Sequence, residues 1–174
     1  MTDEMQAQQD NHWMQCALAL AERAADAGEV PVGAVVVLDN QVIGEGWNQP
    51  ISSHDPTAHA EVLALRDAAH KVGNYRLVEA DLYVTIEPCT MCAGAMVHAR
   101  VRRVVYGASE PKSGVVESNG RLLEQPWMNH RVEVTAGVLA DQCSERISLF
   151  FKQRRAEKKA AKQAARKSLS PDEG

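Results

Sequence analysis

Three residues with metal-binding side chains and one free carboxylate occupy two short segments of this 174-residue chain, His59-Ala60-Glu61 and Pro88-Cys89-Thr90-Met91-Cys92. One imidazole and two thiolates make a good zinc ligand set. Three protein ligands leave one corner of a tetrahedral zinc for water, which is the arrangement of a catalytic site, whereas a structural site closes with a fourth residue. A zinc held in this way carries no net charge, and its water is acidified from the bulk value of about 16 toward about 7. Hydroxide can then add to the amine-bearing carbon of an aromatic, amidine-like ring. The ring nitrogen beside that carbon must gain a proton, and the departing amine must gain another. Glu61 lies two residues from His59, so on a helix it points away from the imidazole. It is expected to flank the open position and carry both protons rather than bind the metal.

The elements that must position these groups can be read from the flanking residues. Cys89 and Cys92 have i,i+3 spacing, which puts both sulfurs on one helix face. Pro88 suits the first helical position, where a missing N–H costs nothing. The thiolates would then sit at a helix N-terminus, whose partial positive charge favours them. Asp55-Pro56-Thr57 likewise reads as a helix start, with His59 in the first turn. Alone, His-x-Glu is uninformative, and Cys-x-x-Cys fits half of a structural zinc site or a redox pair. Their conjunction, separated by room for a helix, a loop and a strand, is specific.

Around these segments the pattern alternates. A helix is predicted over residues 12–27. Val32–Leu38 is a nearly continuous apolar run, as in a strand buried on both faces. Asp39-Asn40 turns it into a second strand, Gln41–Trp47. A loop over 48–57 leads to a helix over 58–71, then to a strand at Leu82–Ile86 that delivers the chain to Pro88. A helix over 89–98, a strand at Arg103–Tyr106, a long loop, a fifth strand at Arg131–Thr135 and a helix from Val138 complete the order. This argues for a three-layer α/β/α fold with a mixed central sheet of about five strands, its site where strand ends pass into helix starts.

The composition, 45% hydrophobic and 24% charged, is that of one globular domain. Two of the four cysteines remain after zinc, Cys16 and Cys143, and both fall in apolar helical patterns, which suits a reducing cytoplasm. No apolar run is long enough to span a membrane. The net charge of −4 hides an asymmetry, because residues 152–167 hold eight Lys or Arg and one acid, Glu157. Lys152, Arg154, Arg155 and Lys158 follow directly from a helix whose apolar face packs on the body. They form a candidate RNA-phosphate arm. Residues 1–10 are expected to be disordered and 11–151 to form the catalytic domain. Residues 152–174 are expected to extend as a basic helix that frays beyond about residue 160 into a disordered tail.

His-x-Glu followed by Pro-Cys-x-x-Cys is the known signature of zinc nucleobase deaminases. With Glu29-Val30-Pro31-Val32-Gly33-Ala34-Val35, Gly46-Trp47-Asn48, His54 to Glu61, Tyr83 to Met96 and Asn129-His130-Arg131, the chain resembles the bacterial tRNA-specific adenosine deaminases of the cytidine deaminase-like superfamily. The resemblance spans about residues 12–155. It implies a three-layer α/β/α fold, one zinc per chain, a homodimer, and conversion of adenosine to inosine at the wobble position of a tRNA anticodon. It implies that Asn48 hydrogen-bonds the flipped nucleoside and that Val30 packs on the base. Ala60 and Pro88 would line the substrate site, and the loop beginning at Gly107-Ala108 and including Glu110 would contact anticodon nucleotides. Val115-Val116-Glu117-Ser118 departs from the small, glycine-rich stretch common in that loop.

Two other functions compete. A deaminase of a free nucleobase or nucleotide would use the same chemistry, but a free base gains nothing from eight nearby cations, and free cytidine deaminases often place Cys where this chain has His59. A zinc-stabilised RNA-binding module would need no proton shuttle at Glu61.

Overall fold

Among residues 1–170, which the structure, a computed structural model, describes, a five-stranded sheet is enclosed by helices. The order is α1 (Asp3–Asp26), β1 (Gly33–Leu38), β2 (Gln41–Trp47), α2 (Pro50–Ser53), α3 (Ala60–Val72), β3 (Asp81–Ile86), α4 (Thr90–Ala99), β4 (Arg103–Ala108), β5 (Glu133–Thr135) and α5 (Ala140–Leu169), with one 3-10 turn at Leu122–Glu124. Strand order in the sheet is β2-β1-β3-β4-β5. The β1–β2 and β1–β3 pairs are antiparallel, and β3–β4 and β4–β5 are parallel. The expected mixed sheet and its three layers are present.

Alternation along the central strands assigns the two faces. Ala34 and Val36 of β1, Leu82 and Val84 of β3, and Val104 and Tyr106 of β4 pack with Ala64 and Leu65 of α3 and Met96 and Val97 of α4. Val35, Val37, Tyr83 and Val105 face the other way, onto Met14, Ala17 and Leu18 of α1 and Cys143 of α5. At the β1–β2 hairpin, Asp39 and Asn40 both adopt positive φ, 50° and 58°. That conformation matches the strand twist and is tolerated by Asp and Asn. On β2, a β-carbon at Gly46 would collide with the Ala60 carbonyl, so the missing side chain lets the start of α3 press onto the sheet.

The two ends of the chain differ from the sequence expectation. Residues 1–10 are not disordered: α1 begins at Asp3, capped by the Thr2 hydroxyl, which accepts from the Met5 N–H at 3.2 Å. Asp10 is buried and accepts from both terminal nitrogens of Arg103 at 3.0 and 2.8 Å and from the Tyr83 hydroxyl at 2.7 Å. Arg103 also donates to Asp81 at 2.9 Å. The polar composition that suggested disorder supplies the ion-pair network that docks α1 on the sheet. At the other end α5 stays helical through Leu169, past the expected fraying point, because its last turns are built from Ala, Lys, Gln and Arg, all strong helix formers. Residues 171–174 of the expected tail lie outside the described residues.

Candidate active site

The ligand residues come from two helix starts, each lying one or two residues later than the sequence suggested. The Asp55 carboxylate accepts from the Thr57 N–H at 2.8 Å and from its hydroxyl at 2.7 Å, closing a turn that imitates a helix cap. α3 itself begins at Ala60, so His59 is its extended N-cap residue, with φ −77° and ψ 151°. Pro88 is likewise not the first helical residue. Cys89 is the N-cap of α4, with φ −81° and ψ 176°, and Cys92 lies in the first turn. Neither His59 nor Cys89 uses its side chain to cap its own helix. Both side chains are therefore free to turn toward one point between two positive helix ends.

That point has zinc dimensions. His59 Nδ1 lies 3.6 Å from Cys89 Sγ and 3.5 Å from Cys92 Sγ. A tetrahedral ion with Zn–N of about 2.0–2.1 Å and Zn–S of about 2.3 Å has an N···S edge of about 3.6 Å. These three residues are the one His, Cys, Asp and Glu group of that compactness among the described residues, and Cys16 and Cys143 stand apart from it. The charge balance also suits a dication. Cys89 is pulled down to about 3, chiefly by the Cys92 thiol donating to it, against burial and with help from His59. Cys92 is pushed well up, first by the Cys89 thiol group and then by burial. The protein alone thus favours one negative sulfur, and a cation would favour two.

Glu61 sits in the first turn of α3 and is 3% exposed. Burial raises its proton affinity; its own backbone N–H, the Cys92 thiol and His59 only partly oppose this. A carboxylate held in this way can take up and release a proton beside the cluster.

The other predicted residues divide. Asn48 follows β2, and its Oδ1 accepts from the Ala60 N–H at 2.9 Å. It therefore satisfies the first free amide of α3 and pins the segment that carries His59 and Glu61. Ala60 is fully buried by this contact, and Val30 packs partly buried against the core on the α3 and α4 side. The Pro88 carbonyl accepts from the Val115 N–H at 3.1 Å, and the Ala108 carbonyl accepts from the Glu87 N–H at 2.8 Å. The Glu110 N–H donates to Glu87 Oε1 at 3.1 Å. Lys152, Arg155 and Lys158 are exposed along α5, on the sheet face opposite α3 and α4. Arg154 is half-buried. It donates to the Gly28 carbonyl, and its guanidinium lies 5.2 Å from the Phe150 ring centre, so it ties α5 to the body.

Glu87 is a buried carboxylate beside the cluster that sequence reasoning missed. It is 2% exposed and gathers donors from a loop 23 to 31 residues away. Burial would raise its pKa, yet the Ser118 hydroxyl and the amides of Ser118, Glu117 and Glu110 outweigh burial and hold it below the ordinary range. A glutamate beside Pro-Cys was the only available signal. Other contacts account for two of the unusual loop residues: Val116 is buried in the core, and the Glu117 carboxylate accepts from the Tyr106 hydroxyl at 2.7 Å.

Fold and site together define a zinc-binding deaminase of the cytidine deaminase type. Residues 7–108 match the family model of the cytidine and deoxycytidylate deaminase zinc-binding region. A tRNA-specific adenosine deaminase of Haemophilus influenzae is 54% identical over 162 residues, covering 92% of this chain and 93% of the relative. One from Bacillus subtilis is 43% identical, covering 93% and 98%. A solved structure from a study of A-to-I editing by tRNA:A34 deaminases at the wobble position of transfer RNA has a TM-score of 0.76 and 47% identity, over 78% of this chain and 98% of that one. A guanine deaminase from Nitrosomonas europaea is more distant, at 25% identity and a TM-score of 0.68 over 80% and 83%. The chain belongs to the tRNA-specific adenosine deaminases of this zinc-binding deaminase family.

Proposed function

We propose that this protein hydrolyses adenosine to inosine at the wobble position of a tRNA anticodon, with one zinc held by His59, Cys89 and Cys92. The observation that carries the reading is a His59, Cys89 and Cys92 cluster of zinc dimensions with one buried carboxylate, Glu61, in the same helix start. When bound, the metal would supply water activated for attack on C6 of adenine. The Glu61 carboxylate takes one proton from the attacking water and passes it to ring nitrogen N1, then takes the other and passes it to the amine, which leaves as ammonia. Adenosine and water thereby become inosine and ammonia. Asn48, with its Oδ1 engaged by Ala60, offers its amide nitrogen to an acceptor on the purine edge. Val30 packs on the base, Ala60 and Pro88 line the pocket, and the loop from Ala108 through Glu110 meets neighbouring anticodon nucleotides.

The exposed cations Lys152, Arg155 and Lys158 serve the RNA backbone, and Arg154 serves mainly to hold α5 in place. Phosphate contacts set the salt dependence of binding, each contributing about 0.7 to 0.9 to the slope of log K against log salt. Arg155→Ala with Lys158→Ala should therefore lower the slope by about 1.4 to 1.8, and Arg154→Ala should change it less. The partner surface for a homodimer is the apolar groove along α3 and α4 lined by Val62, Leu65, Ala69, Tyr75 and Ala95, with Tyr75 67% exposed. No helix among the described residues is long and apolar enough to cross a membrane, and a tRNA substrate accords with a cytoplasmic location.

The test is incubation of the zinc-loaded protein with total tRNA, with free adenine, guanine and cytosine in parallel, followed by mapping of inosine by sequencing. Inosine confined to position 34 supports the reading. Turnover of a free base with no inosine in tRNA would replace it with the small-molecule alternative.

A further inference from the structure

The loop that follows β4 has almost no apolar anchorage. Between Ser109 and Ser118 the core takes up the side chain of Val116 and, in part, Val115, while Ser109, Lys112 and Ser113 point to solvent. Such a segment would ordinarily be loose. Asn119 steadies it from one side, its side-chain amide donating to the Pro111 and Gly114 carbonyls at 2.8 and 3.0 Å, but the largest set of tethers converges on one carboxylate. Glu87 Oε2 accepts from the consecutive N–H groups of Val116, Glu117 and Ser118 at 3.1, 2.8 and 2.9 Å. Glu87 Oε1 accepts from the Glu110 N–H at 3.1 Å and from the Ser118 hydroxyl. Successive amides converging on an anion form the concave arrangement that backbone uses to bind phosphate, here filled by the protein itself.

Two further contacts join the two residues before Cys89 to the end of β4 and to the loop. The Glu87 N–H donates to the Ala108 carbonyl, and the Val115 N–H donates to the Pro88 carbonyl. Both residues immediately before Cys89 therefore hold the loop. Gly114 lies against the Glu87 carboxyl carbon, and a β-carbon there would collide with it. The loop thus closes around the carboxylate with no room for a larger residue.

We propose that Glu87 is a positioning residue that templates the 110–118 loop as a preformed wall beside the zinc ligands, against which the RNA substrate docks. The proposal rests on the RNA reading above. Glu87 touches no reacting atom. Its role is to place Glu110 and Lys112 before the substrate arrives, so that binding does not bear the cost of ordering the loop.

Glu87→Gln keeps the side-chain shape but sets an amide NH₂ against N–H donors. Gly114→Ala displaces the same contact from the loop side and keeps the carboxylate. In the zinc-loaded, RNA-free protein, Glu87→Gln should speed hydrogen exchange of the amides of residues 116–118 by about ten-fold or more, since bonds to a charged acceptor are lost. Exchange in β3 and α4 and the zinc content should stay at parent values. With an anticodon stem-loop, KM should rise by about ten-fold while kcat falls far less, the signature of lost docking. The double variant should be no worse than the more affected single variant, because both break one interaction. Unchanged exchange over 110–118 would overturn the tether whatever the activity. Loss of zinc, or a fall in kcat at constant KM, would overturn the docking role. If the parent protein makes no inosine in RNA, the functional reading fails by itself, while the exchange measurement still decides the tether.

Discussion

Two glutamates flank the same candidate metal cluster, expose almost no surface and behave in opposite ways. Glu61 is 3% exposed and Glu87 is 2% exposed. Each lies two residues from a member of the His59, Cys89 and Cys92 cluster, Glu61 after His59 and Glu87 before Cys89. Burial pushes both toward the protonated form. For Glu61 burial wins, because only its own amide, a thiol and the His59 charge oppose it. For Glu87 burial loses to four amides and a hydroxyl. The difference teaches that burial alone assigns no role to a carboxylate. Depth of desolvation set against the number of donors decides which way its proton affinity moves.

The largest effect that could break this contrast is on turnover. Glu61→Gln should keep zinc and RNA binding and lose about 10⁴-fold in kcat, the upper end for a general acid–base group, because it serves two proton transfers. Single-turnover kinetics with the anticodon stem-loop measures this. Near-normal turnover would mean that another group shuttles the protons and that Glu61 is only a buried polar residue. Cys89→Ala should lose zinc as well as activity, which separates a damaged cluster from a missing shuttle.

A third buried carboxylate sharpens the contrast from another side. Asp10 is 4% exposed and is met by a guanidinium and a phenol. Removing one member of a buried pair strands the other charge, at a cost of about 3–5 kcal/mol. Asp10→Ala should lower unfolding stability in urea titrations by about 3 kcal/mol, the lower end of that range, because Arg103 keeps Asp81 as a partner. A loss below 1 kcal/mol would mean that α1 docks through its apolar face and that the ion network adds little.

These three carboxylates also show what a sequence can reveal. The clustering of His59, Cys89 and Cys92 was legible because metal chemistry demands particular residue types at short spacings. The sheet was legible because β1 is a run of β-branched residues and the later strands alternate with helical patterns. The starts of α3 and α4 were misplaced by one or two residues, since the Asp55 turn offers the same chemistry as a helix cap. Asp10 was invisible because its partner Arg103 is 93 residues away and a polar N-terminal run gives no periodic signal. Glu87 was invisible because its partners are backbone N–H groups, which any residue supplies. The break between Arg154 and its neighbours was hidden for a related reason: a run of cations does not say which one folds back onto a carbonyl.

The smallest expected effect compares the two glutamates by the same substitution. Gln has the shape of Glu without its charge. At Glu87 the charge faces donors only, so Glu87→Gln should cost about 1.5–3 kcal/mol, the range for hydrogen bonds to a charged group. At Glu61 the charge is what burial opposes, so Glu61→Gln should leave stability within about 1 kcal/mol of the parent or raise it. Urea unfolding of the two zinc-loaded variants, side by side at one pH, reads the difference directly. Opposite or clearly unequal shifts support the balance of desolvation against donors as the deciding quantity. Equal losses would mean that the loop amides contribute no more to Glu87 than the cluster does to Glu61, and the division between a shuttle and an anchor would then have to come from position rather than from hydrogen bonding.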